Sequence, residues 1–166
     1  MRNVSKNFNV FVDGKGYAGE ADEFTPPKLA LKTEEHRAGG MNAPVKLTMG
    51  MEAMDADFTL TSVDPHTLAR FGVTENASVQ LTVREALESH DGTVTPAVHS
   101  LRGKITEVDQ GNKKVGEKGS QKVTLSLDYY KHTIGGVVTQ EIDIVNMVHK
   151  SNGVDLLEAL RTAIGI

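Results

Sequence analysis

A chain of 166 residues, 39% hydrophobic and 24% charged with 16 glycines against 5 prolines, has the composition of a single globular domain, 1–166. Its 5% aromatic content without tryptophan leaves little for a base-stacking platform or a sugar cradle, and a net charge of -4 with dispersed Lys and Arg disfavours tight phosphate-backbone binding. Zero cysteines exclude disulfides, thiolate metal sites and thiol chemistry, no segment approaches the roughly 18 apolar residues of a membrane span, and Met1 to Asn7 lacks the apolar core of a signal peptide.

In chain order, two-faced β-strands dominate. Phe8, Val10 and Val12 share a face and lead into Asp13-Gly14, a hairpin signal with Tyr17 and Ala18 on the return. Pro26 to Pro44 reads as a strand, Lys28-Leu29-Ala30-Leu31-Lys32, extending into a long, charged and then glycine-rich excursion. Val45, Leu47 and Met49 oppose Lys46 and Thr48; Met54, Ala56, Phe58 and Leu60 oppose Asp55, Asp57, Thr59 and Thr61. Asp64 as N-cap, Pro65 at the first position and Gly72 as the stop predict a short helix to about Phe71.

The alternation returns in Val79-Leu81-Val83, and most clearly in Val123-Leu125-Leu127-Tyr129 against Lys122-Thr124-Ser126-Asp128, with an exposed polar loop expected between Asp109 and Ser120. Strand boundaries within 63–96 are the least defined. The last strand is predicted through Glu141 to Val148, with Val138, Ile142, Ile144 and Val148 toward a core and Thr139, Glu141 and Asp143 on an acidic wet face. Asn152 is then the expected N-cap of a terminal helix. Asp155 falls in its first turn, and Leu156, Leu157, Leu160 and Ile164 form the stripe that docks it on the sheet.

Chemistry finds little purchase. Gly14-Lys15-Gly16-Tyr17-Ala18-Gly19 matches a dinucleotide fingerprint by letter, but the Glu20-to-Pro27 run that follows cannot be the helix whose N-terminus would hold a pyrophosphate, so a hairpin turn is expected and no cofactor. The six histidines, His36, His66, His90, His99, His132 and His149, have no metal-binding helical spacing, and Glu34-Glu35-His36 reads as solvated charge. There is no nucleophile elbow. Glu141 and Asp143 share a strand face, yet nothing beside them suggests a cleft or a raised pKa, so no catalytic residue and no enzyme is expected. Long polar-backed strands instead leave edges to be used, which points to copies that complete one another's sheets head to tail and close into a ring.

Four ordered motifs carry a near full-length resemblance: Pro27-Lys28-Leu29; Glu35-His36-Arg37-Ala38-Gly39-Gly40-Met41-Asn42-Ala43-Pro44-Val45; Leu101-Arg102-Gly103 with Glu107-Val108-Asp109; and Glu141-Ile142-Asp143 with Asn152-Gly153-Val154-Asp155-Leu156-Leu157 and Ile164-Gly165-Ile166. On these the chain resembles the major tail tube proteins of contractile-tailed phages and R-type tailocins. The resemblance implies a mainly β, sandwich or barrel-like fold with one short internal helix and a C-terminal helix. It further implies homo-hexameric rings that stack into a hollow tube inside a sheath, with terminator and baseplate proteins at its ends and DNA passing without specific binding. The particle would be a virion tail or tailocin assembled in the host cytoplasm.

Under the same resemblance the loop at about 34–51 makes contacts between rings, through Glu35, Arg37, Gly39, Gly40, Met41, Asn42 and Lys46. Gly39 and Gly40 would give it backbone freedom, and Met41, Met49, Met51 and Met54 adaptable apolar contact, although Met49 and Met54 suit a core equally well. Either Thr139, Glu141 and Asp143, or Lys122, Thr124, Ser126 and Asp128, would line the lumen, where a neutral or acidic wall would keep DNA from sticking. The alternatives are a type VI secretion-like tube protein and a monomeric β-sandwich binding module.

Overall fold

The computed structural model describes residues 2–166, so Met1, the first residue of the expected 1–166 domain, lies outside them. The alternation read from the sequence becomes a mainly β structure. β1 (Val4–Val12) turns through Asp13-Gly14 into β2 (Lys15–Gly16), as those two residues predict. β3 (Ala21–Thr25) is followed by β4 (Leu31–His36) and β5 (Val45–Met51), which pair only with each other as a separate two-stranded sheet among the described residues. β6 (Met54–Leu60) returns to pair with β3.

The helix α1 (Pro65–Leu68) starts where expected: the Asp64 side chain accepts from the Thr67 N–H, and Pro65 opens the first turn. It is shorter than predicted, ending at Ala69 before Phe71 and Gly72 are reached. Three long strands then form an antiparallel spine, β7 (Ser78–Glu88), β8 (Val94–Asp109) and β9 (Gln121–Ile134), with β1 on the far side of β7 and the expected exposed loop joining β8 to β9.

β9 serves two neighbours on one edge. Its first half pairs with β6, and its second half pairs with β10 (Val137–Asp143), so the sheet forks near Asp128. The cause is a bulge: Arg102 stands opposite Tyr129 while Gly103 stands opposite Leu127, leaving Asp128 as the extra residue. A Cβ on Gly103 would sit 2.2 Å from the Ser126 carbonyl oxygen, so the close approach at the fork admits glycine only. The slip in phase also corrects one expectation: Tyr130, and not Tyr129, enters the core.

The inward faces of these strands make one core. Val10, Val12, Phe58, Leu60, Leu81, Val83, Leu101, Ile105, Val123 and Leu125 are all essentially sealed from solvent. Each such side chain contributes about 1.5–3 kcal/mol relative to exposure. β3 and β6 continue the sheet beyond β9, and because Phe58 and Leu60 share one core with Val10, Val12 and Leu81 from its other end, the sheet curls into a barrel-like arrangement.

The C-terminal region departs most from expectation. The predicted 141–148 strand is two strands: β10 stops at Asp143, residues 144–147 turn, and β11 (Val148–Ser151) runs back along β10. Asp143 itself makes the turn, accepting from the Asn146 backbone N–H at 3.3 Å and its side-chain amide at 2.7 Å. Of the four residues expected inside, only Ile142 is fully buried; Ile144 is exposed. Asn152 caps no helix either. Asn152 and Gly153 both hold positive φ, 51° and 82°, and form the two-residue turn between β11 and β12 (Val154–Asp155). The terminal helix α2 (Glu158–Ile164) begins later, with Asp155 ahead of it and ion-paired to Arg161. It buries no residue, so the expected docking on the sheet does not occur within one copy.

Candidate functional site

Two surfaces stand out from the residues upward, and the first is an uncovered apolar one. β4 and β5 form an arm whose residues are exposed along nearly its whole length. Leu31, Val45, Leu47 and Met49 alternate as core residues do, yet they face solvent; Met54, by contrast, is buried. Glu35 stands opposite Lys46 across the arm, so both predicted contact residues occupy the paired strands and not an irregular loop. Arg37, Gly39, Gly40, Met41 and Asn42 lie together in the connection at the tip, where the Met41 backbone N–H reaches the Ala38 carbonyl at 3.2 Å and the Ala38 N–H points at the Met41 sulfur at 3.2 Å. The expected loop at 34–51 is therefore a β-hairpin with a compact tip.

The base of the arm opens into a groove of about 780 Å³, formed with the β10–β11 turn and the start of the terminal helix. Leu31, Met51, Ile142, Met147, Leu157 and Leu160 are among its walls. Leu156, Leu160, Ile164 and Ile166 extend the apolar strip along α2 into solvent. The groove was not legible in the sequence, because it depends on the arm and the terminal segment, over 90 residues apart, meeting at Ile142. The excess of Leu and Met in both segments is the one trace it leaves there.

The second surface is the wet face of the spine. The two sets of residues expected as alternative linings lie on it together: Lys122, Thr124 and Ser126 on the first half of β9, then, beyond the bulge, Glu141 on β10 beside Lys131. Asp128 joins them through an ion pair with Arg102 at 3.0 Å, and the Arg102 guanidinium also lies 5.3 Å from the Tyr129 ring centre. Burial, reinforced by Glu141 and Asp143, raises the Tyr129 phenol above its ordinary value, so it stays neutral and points at Glu141.

Two members of the sets have local duties that the spacing did not show. Thr139 is the extra residue at a bulge and donates its hydroxyl to the His132 carbonyl at 2.9 Å, while Asp143 closes the β10–β11 turn. Arg102, Lys104 and Lys131 are cations of this face that the sequence reading left out, so its charge is mixed and not simply acidic.

The densest polar cluster lies elsewhere, around Asp64. Its carboxylate is buried and takes hydrogen bonds from the Tyr17 hydroxyl at 2.5 Å and the Thr67 N–H at 2.8 Å, with the Lys15 ammonium at 3.3 Å. Burial opposes the charge, but these donors outweigh it and hold the carboxyl well below the usual range. The same burial and the Asp64 charge push Tyr17 up to about 12. With its oxygens occupied and its approach sealed, this carboxylate caps α1 and ties it to the β1–β2 hairpin. Among the described residues no group of three His, Asp or Glu side chains is arranged to hold a metal.

Comparison with known proteins agrees with the fold. A solved chain from the PVC sheath–tube complex of an extracellular contractile injection system, in the extended state, shares the fold with a TM-score of 0.58 at 13% identity, covering 76% of this chain and 87% of that one. A chain from the six-fold symmetrised baseplate of the anti-feeding prophage follows at 0.52 and 15% identity, covering 80% and 96%. In sequence, the tail tube protein of Escherichia phage P2 is 34% identical over 165 residues, 97% of this chain and 96% of that protein. A family model described as phage tail tube protein FII matches residues 2–165. The chain belongs to the phage tail tube protein family, whose members are structural and not enzymatic.

Proposed function

We propose that copies of this chain close into hexameric rings, and that the rings stack into the hollow inner tube of a contractile tail, working by geometry alone. The observation that carries this reading is the apolar surface left uncovered in a single copy, formed by the arm, the groove and the terminal helix. A two-stranded ribbon is marginal in water without a covering surface. On a tail tube protein, the natural cover is a neighbouring copy. The six-fold symmetrised baseplate containing a related fold supports the choice of six.

In this reading the arm, with Glu35, Arg37, Gly39, Gly40, Met41, Asn42 and Lys46, reaches from one ring to the next. The wet face that carries Lys122, Thr124, Ser126, Asp128, Thr139, Glu141 and Asp143 lines the lumen. Its mixed charges offer passing DNA neither a continuous basic track nor strong attraction. A sheath surrounds the tube, terminator and baseplate proteins bound its ends, and assembly takes place in the host cytoplasm.

Electron microscopy of the purified protein at rising concentration tests the proposal. Rings or tubes of uniform diameter with six-fold averages are expected. A strict monomer at high concentration would overturn the assembly, and rings of another symmetry would overturn the number.

A further inference from the structure

His99 on β8 and His132 on β9 stand opposite each other in register, and their rings stack with centroids 4.1 Å apart and planes 12° apart. His99 is buried. Its Nδ1 lies 2.9 Å from the Tyr130 hydroxyl and its Nε2 3.3 Å from Glu85 Oε2 on β7, while Phe24 of β3 meets the ring edge-on at 5.4 Å. A neutral imidazole satisfies both contacts: the phenol donates to Nδ1, and Nε2–H donates to the carboxylate. Burial and the neighbouring Glu85 charge push Tyr130 up to about 12, so the phenol remains a donor.

The surroundings supply one counter-charge, not two. From β7 comes Glu85; from β3, an aromatic ring; from β9, the neutral phenol. From β10, Gln140 stands opposite His132, with its Oε1 2.9 Å from the His149 imidazole of β11 and its amide donating to Ser151. Lys131, adjacent to His132 on the same strand, pairs with Glu141 in register on the opposite face. A first proton on the stacked pair is met by Glu85, but a second would place two cations in ring contact with a single carboxylate. In keeping with this, burial first and the His99 charge second lower the proton affinity of His132, against a smaller pull from Glu85.

We propose that the stacked His99–His132 pair is an acid-sensitive latch: carrying at most one proton it keeps Phe24 of β3 packed against His99 of β8, and a second proton loosens that end of the core. The sign follows from linkage. A folded-state His132 that binds its proton less readily than in the unfolded chain gives stability that is complete above about pH 6.5 and is lost as pH falls through the folded value. The device belongs to the subunit itself and stands whether or not copies assemble.

Two measurements on the full chain test it. Site-resolved histidine C2 hydrogen–deuterium exchange, which reads monomers and assemblies alike, is expected to show His132 titrating below the ordinary histidine value of about 6.5. Titration at or above that value overturns the latch. Thermal unfolding between pH 7.5 and 5 is expected to fall by about 2–4 °C more in the native chain than in His132→Gln, the shift of a modest change in stability for a domain this size. Glu85→Gln, which removes the counter-charge, is expected to deepen that fall and carry it to lower pH, because the folded pair then binds protons still less readily. Parallel curves for the native chain and His132→Gln overturn the proposal, and should His132→Gln fail to fold, the exchange titration of the native chain decides alone.

Discussion

β5 and β6 are neighbours in sequence with the same alternation, yet they have opposite fates. Val45, Leu47 and Met49 are 47%, 49% and 55% exposed, whereas Met54, Ala56, Phe58 and Leu60 are at most 2% exposed. The pattern of a strand specifies that one face is apolar, not what covers it. β6 pairs between β3 and β9 and turns its apolar face onto the core; among the described residues β5 pairs only with β4, away from that core. Apolar alternation can therefore mark a core or a face left uncovered within one copy, and this chain has both; the proposed assembly would cover the second.

The contrast can be broken by substitution, beginning where the effect is largest. Phe58→Ala is expected to cost about 3–5 kcal/mol, read as a shift of the denaturation midpoint, because its ring is sealed inside the core. Gly103→Ala, which drives a methyl group against the Ser126 carbonyl at the fork, is expected to cost roughly 1–3 kcal/mol by the same measurement. A loss as small as that of an exposed alanine would show that the fork is not rigid.

Asp64→Asn, which keeps an oxygen to cap α1, is expected to cost about 1–2 kcal/mol at neutral pH through the lost charge and the lost acceptor for Lys15 or Tyr17. Because the folded carboxyl is depressed, its contribution is present above the ordinary carboxylate range and disappears as pH falls through and below it. The native and Asp64→Asn unfolding curves should therefore converge in strong acid. The smallest effect on the subunit belongs to the arm: Leu47→Ser is expected to change its stability by no more than about 0.5 kcal/mol while abolishing the pelleting of assemblies in the ultracentrifuge. Unfolding of Leu47→Ser by circular dichroism, or unimpaired pelleting, would erase the distinction between β5 and β6.

Local signals translated directly where short-range chemistry governs. Asp13-Gly14 gave its hairpin, Asp64-Pro65 gave the start of α1, β6 and β7 buried every residue that their alternation selected, and β1 and β9 buried most of theirs. The same logic misread Asn152-Gly153, since an N-cap and a two-residue hairpin turn ask for similar residues, and what lies on either side decides between them. It also misplaced Tyr129, because the extra residue at Asp128 shifts the phase of β9 and no local feature announces it. Of the candidate surfaces, the arm and its tip were legible as a segment. The groove was not, since its walls come from distant stretches of chain.

By itself, the sequence determined a cysteine-free chain of two-faced strands without a catalytic constellation, and its ordered motifs carry the resemblance to the tail tube family. Only the tertiary structure decided which apolar faces are buried within the copy and which stay exposed, and that both candidate linings share one mixed-charge face. The reason is that periodicity is a property of adjacent residues, whereas cover, phase and counter-charge depend on strands brought together from far along the chain.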